Sequence, residues 1–132
     1  MSIFVDTSVF LAVLTDDDHN NKIAAETLAT LAESGEQLIT TNYILVESYA
    51  LIQRRMGMNA IQDFQEKILP SLTLTWINAE EHQHALQQFL LENRRNLSFV
   101  DCSSFEAIQR LGIDKAFTFD NHFRERGFEI IP

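Results

Sequence analysis

The sequence predicts an α/β fold with a mostly parallel sheet covered by helices on both faces. Two observations carry this. Short apolar runs rich in strand formers alternate with longer segments of helical period, and the chain has only four glycines and two prolines, with no linker, repeat or low-complexity tract. Parallel neighbours can be joined only by a crossover, so strands spaced by helices imply βαβ units and a sheet buried on both sides. At 132 residues the chain reads as one domain over 1–132, long enough to bury a core without disulfides or a structural metal.

The elements follow in order. "SIFVD" (2–6) is a short apolar strand, and "TSVFLAVLT" (7–15) is a helix that ends at the acidic run Asp16, Asp17 and Asp18. From Asn20 to Glu33, Ala24, Leu28, Leu31 and Ala32 recur at the spacing of one buried helix face, and Ser34-Gly35 stops the helix. "QLITT" (37–41) is the second strand. "NYILVESYALIQRRM" (42–56) is a helix with Leu45, Tyr49, Ile52 and Met56 along one stripe, ended by Gly57. "NAIQDFQEKIL" (59–69) is a further helix closed before Pro70, and "LTLTWI" (72–77) is the third strand. "AEEHQHALQQFLLEN" (79–93) is a helix burying Ala85, Leu86, Phe89 and Leu90, and "SFVDCSSFEAIQRLG" (98–112) is a capped helix. "KAFTFD" (115–120) is a strand, "NHFRER" a turn or short helix, and "FEII" (128–131) the last strand. Sites in folds of this kind form at the carboxyl ends of the strands.

Composition narrows the function. No apolar stretch approaches the ~18 residues that span a bilayer, and "MSIFVD" has neither a basic leader nor a small-residue cleavage site. It reads as a first strand in a cytoplasmic protein. The lone Cys102 has no internal disulfide partner and no zinc-ligand spacing around it, so it is read as a small packing residue. A net charge of −9 argues against holding nucleic acid by a generally basic surface. Acids that converge, however, repel one another until a cation joins them, and hard divalent ions prefer such oxygen ligands.

Four acids have apolar neighbours: Asp6 in "FVDTSVF", Glu47 in "YILVESYAL", Asp101 in "LSFVDCSSF" and Asp120 in "AFTFDNHF". Each has a simpler explanation. Asp6 can cap the helix after its strand, Asp101 can close a capping box with Ser98, and Asp120 with Asn121 can start a turn. Glu47 is harder to dismiss, because Tyr43, Ile44, Ala50 and Leu51 surround it on its helix face. An ionised carboxylate there requires a partner: a salt bridge to Arg54 or Arg55, a proton or a metal. Asp6 and Asp120 both end predicted parallel strands. If Glu47 and Asp101 face the same edge, the four carboxylates need cations, and Mg²⁺ or Mn²⁺ is the natural partner, as one ion or as two. Thr7 and Ser8 stand beside Asp6, placed either to bind a water or a phosphate oxygen or to cap the helix.

The order and setting of these acids resemble the PIN domain, in particular the VapC-like toxins of toxin–antitoxin pairs. "FVDTSVFLAVL", "TTNYILVESYALI", "LSFVDCSSFEAIQRLGI" and "AFTFDNHFRERGFEIIP" resemble the family's successive acid-bearing segments, and together they cover nearly the whole chain. The resemblance implies a three-layer α/β/α sandwich and divalent-metal-dependent endoribonuclease activity on RNA. It implies that Asp6, Glu47, Asp101 and Asp120 are the catalytic metal-binding acids. It also implies a VapB-like antitoxin, whose disordered tail wraps the toxin, and a homodimer. A metal site supplies local positive potential, and Arg54, Arg55, Arg94 and Arg95 are candidates either to hold phosphates or to form a solvated rim facing the antitoxin.

Other residues carry less. His19, His82, His84 and His122 form no ligand pattern with the acids; His82 and His84 read as exposed or interfacial, and His122 lies near enough to Asp120 to touch the site. Asp16–Asp18 read as a solvated loop, and Trp76 and the ten phenylalanines as core and dimer contacts. A catalytically inert PIN-like module that binds RNA or protein is the alternative, and retention of all four acids counts against it. A phosphate-accepting receiver domain is disfavoured because Lys115 precedes its strand, and a DxDxT phosphatase because Ser8 stands where the second Asp belongs.

Overall fold

The computed structural model describes residues 1–132. Five strands, β1 (Ser2–Val5), β2 (Gln37–Thr41), β3 (Thr73–Thr75), β4 (Lys115–Phe117) and β5 (Glu129–Ile131), form one sheet in the order β3-β2-β1-β4-β5. Every pairing is parallel. The helices are α1 (Thr7–Leu14), α2 (Asn21–Glu33), α3 (Asn42–Met56), α4 (Met58–Asp63), α5 (Ala79–Glu92), α6 (Phe99–Arg110) and α7 (His122–Glu125). This is the α/β class expected from the alternation, with β2 at its expected bounds and the other four strands shortened by one to three residues.

β1 is central because it is apolar after Ser2. Ile3, Phe4 and Val5 point alternately to opposite faces yet all are buried, so both faces of the sheet are covered. Phe4 is in register with Ile39 on one side and Ala116 on the other. The core around it holds the fully buried rings of Phe10, Phe64, Phe117 and Phe123. The edge strands β3 and β5 are short and open with exposed Thr73 and Glu129, which blunts edge-to-edge pairing.

The central strands lead directly into helix caps. Asp6 caps α1, and Thr41 Oγ1 accepts from Ile44 N at 3.1 Å to cap α3. The carboxyl ends of β1 and β2 therefore become the amino ends of α1 and α3 on one edge. α6 packs against α3 and starts with a capping box formed by Ser98 and Asp101.

Several local expectations fail. The helix expected over 59–69 ends at Asp63 and continues as a π-helical turn, Phe64–Ile68, and a 3₁₀ turn, Leu69–Ser71, which contains Pro70. The wider turn keeps both Phe64 and Ile68 buried. β4 stops at Phe117 because the amide of Asp120 turns back onto Thr118 Oγ1. Ala32 is exposed because the buried stripe of α2 follows Ala24 and Leu28, with Leu31 partly buried. Leu90 is 64% exposed in the last turn of α5, and Trp76 is 68% exposed just past the edge strand, so neither is core. No helix is long and apolar enough to cross a membrane.

Candidate metal centre

Asp6, at the end of β1, is buried with no cation beside it. Its Oδ2 accepts from Ser8 Oγ (2.8 Å), Thr118 Oγ1 (3.0 Å) and Ser8 N (3.3 Å). All three donors meet one oxygen, which leaves Oδ1 without a partner in the chain. Burial raises the Asp6 pKa above the ordinary carboxylate value against the pull of these donors, and the charge of Asp120 raises it further.

Glu47 lies on the second turn of α3. Burial raises its pKa first; the nearby Thr7 hydroxyl opposes this, and the charges of Asp6 and Asp120 add to it. The salt bridge to Arg54 or Arg55 considered from sequence does not form. Both arginines are exposed near the far end of α3 and pair with nothing.

Asp101 serves as a cap and also faces the acids. Its amide donates to Ser98 Oγ at 3.0 Å, and Ser98 N returns a bond to its Oδ2 at 3.3 Å. Burial, then the charge of Asp120 and more weakly that of Asp6, push its pKa up to about 6, with the Ser98 bonds opposing. Asp120 turns after β4, and its Oδ1 accepts from His122 N at 2.9 Å. Each of the other three acids feels its charge. The structure therefore brings all four candidate acids to one edge, with Asp6 and Asp120 each within electrostatic reach of both Glu47 and Asp101.

His122, expected from sequence to lie near enough to Asp120 to touch the site, reaches two of the acids, although the histidines show no ligand pattern with them in sequence. The turn at Asp120 folds its ring back, so that Nδ1 lies 2.8 Å from Asp120 Oδ1 and 3.8 Å from Asp101 Oδ2. Nδ1 is buried and makes no hydrogen bond. Asp101, Asp120 and His122 bring one ligand atom each within 4.8 Å of one another. His82 is likewise not simply exposed: its Nδ1 meets the Tyr43 hydroxyl, and its ring packs edge-on against Phe99.

Thr118 escaped the sequence reading. Its hydroxyl donates to Asp6, accepts from Asp120 N at 3.0 Å and lies 3.3 Å from Ser8 Oγ, while Ser8 Oγ accepts from Phe119 N at 3.0 Å. Together these two hydroxyls fix the end of β1 against the end of β4. The available signal was a β-branched hydroxyl closing a strand two residues before an acid, in "TFD". Thr7 is buried, and its hydroxyl accepts from Ser48 at 3.2 Å and donates to the Ile44 carbonyl at 3.5 Å. Arg94 pairs with Glu125 at 3.4 Å, and Arg95 has no ion pair.

The donor set fits a hard divalent cation. Asp101 and Asp120 converge with His122, Asp6 and Glu47 lie within reach of the Asp120 charge, no lysine or arginine pairs with any of the four, Asp6 keeps a free oxygen, and a buried imidazole nitrogen makes no hydrogen bond. A fold of parallel strands with acids gathered at their carboxyl edge defines a class, and the chain belongs to it: this is a member of the PIN domain family, whose sequence profile matches residues 3–129. Among its relatives is the 23S rRNA-specific endonuclease VapC20 of Mycobacterium tuberculosis, 29% identical over 132 residues, with 98% of each chain covered. The crystal structure of that protein, described as a sarcin–ricin loop cleaving toxin, superposes with a TM-score of 0.82 over 96% of this chain and 95% of its own. The VapC ribonuclease of Aquifex aeolicus is 20% identical over 127 residues, covering 96% of this chain and 93% of the relative. VapBC2 from Rickettsia felis, solved bound to a DNA fragment from its promoter, shares the fold at 11% identity and a TM-score of 0.72, covering 99% and 98% of the two chains.

Proposed function

We propose that this chain is a divalent-metal-dependent endoribonuclease and the toxin of a toxin–antitoxin pair, working with Mg²⁺ or, as a substitute, Mn²⁺. The observation that carries the reading is the set of four carboxylates coupled through Asp120, with no lysine or arginine paired to any of them. The family and the named relatives support the nuclease class. The full-length likeness to VapC20 favours a structured ribosomal RNA loop as substrate. A small antitoxin, a homodimer and a cytoplasmic location complete the proposal. The alternative, an inert module, leaves the desolvation of Asp6 and Glu47 without a purpose.

Asp6, Glu47, Asp101 and Asp120 would hold the cation, with His122 beside the last two. When bound, such an ion acidifies a water and stabilises charge on the phosphoryl oxygens. Ser8 and Thr118 hold Asp6 in one rotamer with its free oxygen available. Thr118 also ties Asp6 to the backbone of Asp120, so the two strand ends cannot drift apart independently. Thr7 braces the α3 turn below Glu47 through Ser48. Thr118→Val keeps the shape and removes both bonds; kcat is expected to fall roughly 10- to 100-fold, the scale seen when support to a metal ligand is lost. A steady-state assay with the melting temperature measured alongside separates this from unfolding.

The direct test is incubation of the purified chain with ribosomal RNA in Mg²⁺, in Mn²⁺ and in EDTA, followed by mapping of the new ends. A small set of breaks that disappears in EDTA and returns with excess Mg²⁺ is expected. Cleavage indifferent to EDTA would overturn the metal assignment, and no cleavage with either cation would favour the inert module.

A further inference from the structure

Half of the ten lysines and arginines are engaged in ion pairs: Lys67, Arg94, Arg110, Lys115 and Arg126. Lys22, Arg54, Arg55, Arg95 and Arg124 have none. Their positions differ. A cavity of about 250 Å³ opens on the Asp120 side of the acid cluster, bounded by Asp120 and Thr118 and walled by Arg124, Asn20 and Asn121. Arg95 lines a separate hollow that contains none of the four acids, and Lys22, Arg54 and Arg55 line no cavity. Arg124 is thus the one unpaired cation that shares a cavity with an acid of the site. The carboxamides of Asn20 and Asn121 beside it make no hydrogen bond within the chain.

From this juxtaposition we propose that the cavity is a nucleotide subsite. Arg124 clamps a backbone phosphate of the RNA next to the bond that is cut, and Asn20 and Asn121 meet the polar edges of that nucleotide. The proposal rests on the ribonuclease reading and deepens it. A cluster of carboxylates repels the polyanion it must cut, and a guanidinium at its rim offsets this where it matters. Arginine suits the role because its planar fork grips two phosphate oxygens at once and keeps its charge at every working pH. Asp120 is in the same cavity but does not pair with Arg124 within 4.0 Å, so the fork is available to a ligand. The cavity is smaller than those that enclose whole cofactors, which suits part of one nucleotide in a longer strand. The acidic chain would then hold RNA at a point, without a basic surface.

The test uses the Asp6→Asn chain, so that substrate is not consumed, and a fluorescein-labelled stem-loop RNA followed by anisotropy at several salt concentrations. Adding Arg124→Ala is expected to weaken binding about tenfold, the scale of one charged hydrogen-bonding contact, and to lower the salt slope by about one. Arg124→Lys should recover the slope and part of the affinity, whereas Arg54→Ala should change neither. In the active chain, Arg124→Ala should raise KM with kcat nearly intact. Because Arg124 is exposed and unpaired, its removal should leave the melting temperature in place, which guards against misfolding as the cause. Unchanged RNA binding in Arg124→Ala would overturn the subsite, as would an equal loss in Arg54→Ala, which would mean only general charge. Loss of binding to a partner protein with RNA binding intact would also overturn it, making the cavity a protein-docking site. If neither the wild type nor Asp6→Asn binds RNA at all, the ribonuclease reading fails together with the subsite, a result distinct from the others.

Discussion

Asp6→Asn is expected to reduce RNA cleavage by roughly 10²- to 10⁴-fold at saturating Mg²⁺, the range for removing one member of a cooperating catalytic set, while making the metal-free protein more stable. The two halves of this prediction have one cause. The carboxylate of Asp6 is buried with no cation beside it, and only hydroxyl and amide dipoles oppose its desolvation. An asparagine has nearly the same shape, and its carbonyl oxygen still accepts from Ser8 and Thr118. It lacks the charge needed to hold a divalent ion and is free of the penalty for burying that charge. A structural N-cap would behave in the opposite way, with little effect on cleavage and none of the gain in stability. The measurement is kcat on a mapped RNA substrate together with thermal unfolding in EDTA. Full activity in Asp6→Asn would remove Asp6 from the site; lost activity with a lowered melting temperature would make its role structural.

The parts of the fold legible in the sequence are those set by local pattern. The apolar run ending at Asp6 predicts a buried strand running into a helix, and β1 lies at the centre of the sheet. Glu47 among Tyr43, Ile44, Ala50 and Leu51 predicts a carboxylate in need of a partner, and the structure gives it other carboxylates and no arginine. What stayed hidden depends on tertiary geometry. Thr118 looks like one more strand threonine until the end of β4 is brought beside the end of β1, where its single hydroxyl serves both Asp6 and Asp120. The nearness of His122 to Asp120 is legible, but its approach to Asp101 depends on the backbone turn at Asp120. Periodicity cannot show where a helix loses its packing partner, so the stripe predicts a buried Leu90, whereas in the last turn of α5 it is exposed.

Without metal, the protein is expected to be more stable near pH 5 than at pH 7.5, the reverse of a fold held together by paired carboxylates. Asp101 decides the magnitude, since its pKa is raised from the ordinary 3.8 to about 6 in the folded chain. Between those values the native state binds more protons than the unfolded state, so stability falls as pH rises. This contribution is fully present below the unfolded pKa and is lost as pH passes through about 6. The full shift corresponds to at most about 3 kcal/mol, of which the roughly one unit between pH 5 and the folded value gives about 1.4 kcal/mol, or on the order of 5 °C in melting temperature for a chain of this size. Asp6 and Glu47 are shifted in the same direction and add to the trend. Mg²⁺ should reverse it, because an ion that binds only the folded, deprotonated cluster stabilises by mass action at pH 7.5 and has far less to bind at pH 5. Asp101→Asn should flatten both responses and keep α6 capped, since an amide oxygen can still accept from Ser98 N. The check is thermal unfolding of wild type and Asp101→Asn at pH 5.0, 6.0 and 7.5, each in EDTA and in Mg²⁺. If metal-free stability instead rises towards neutral pH, or if Mg²⁺ stabilises equally at both ends of the range, the four carboxylates are not a coupled cation-binding cluster.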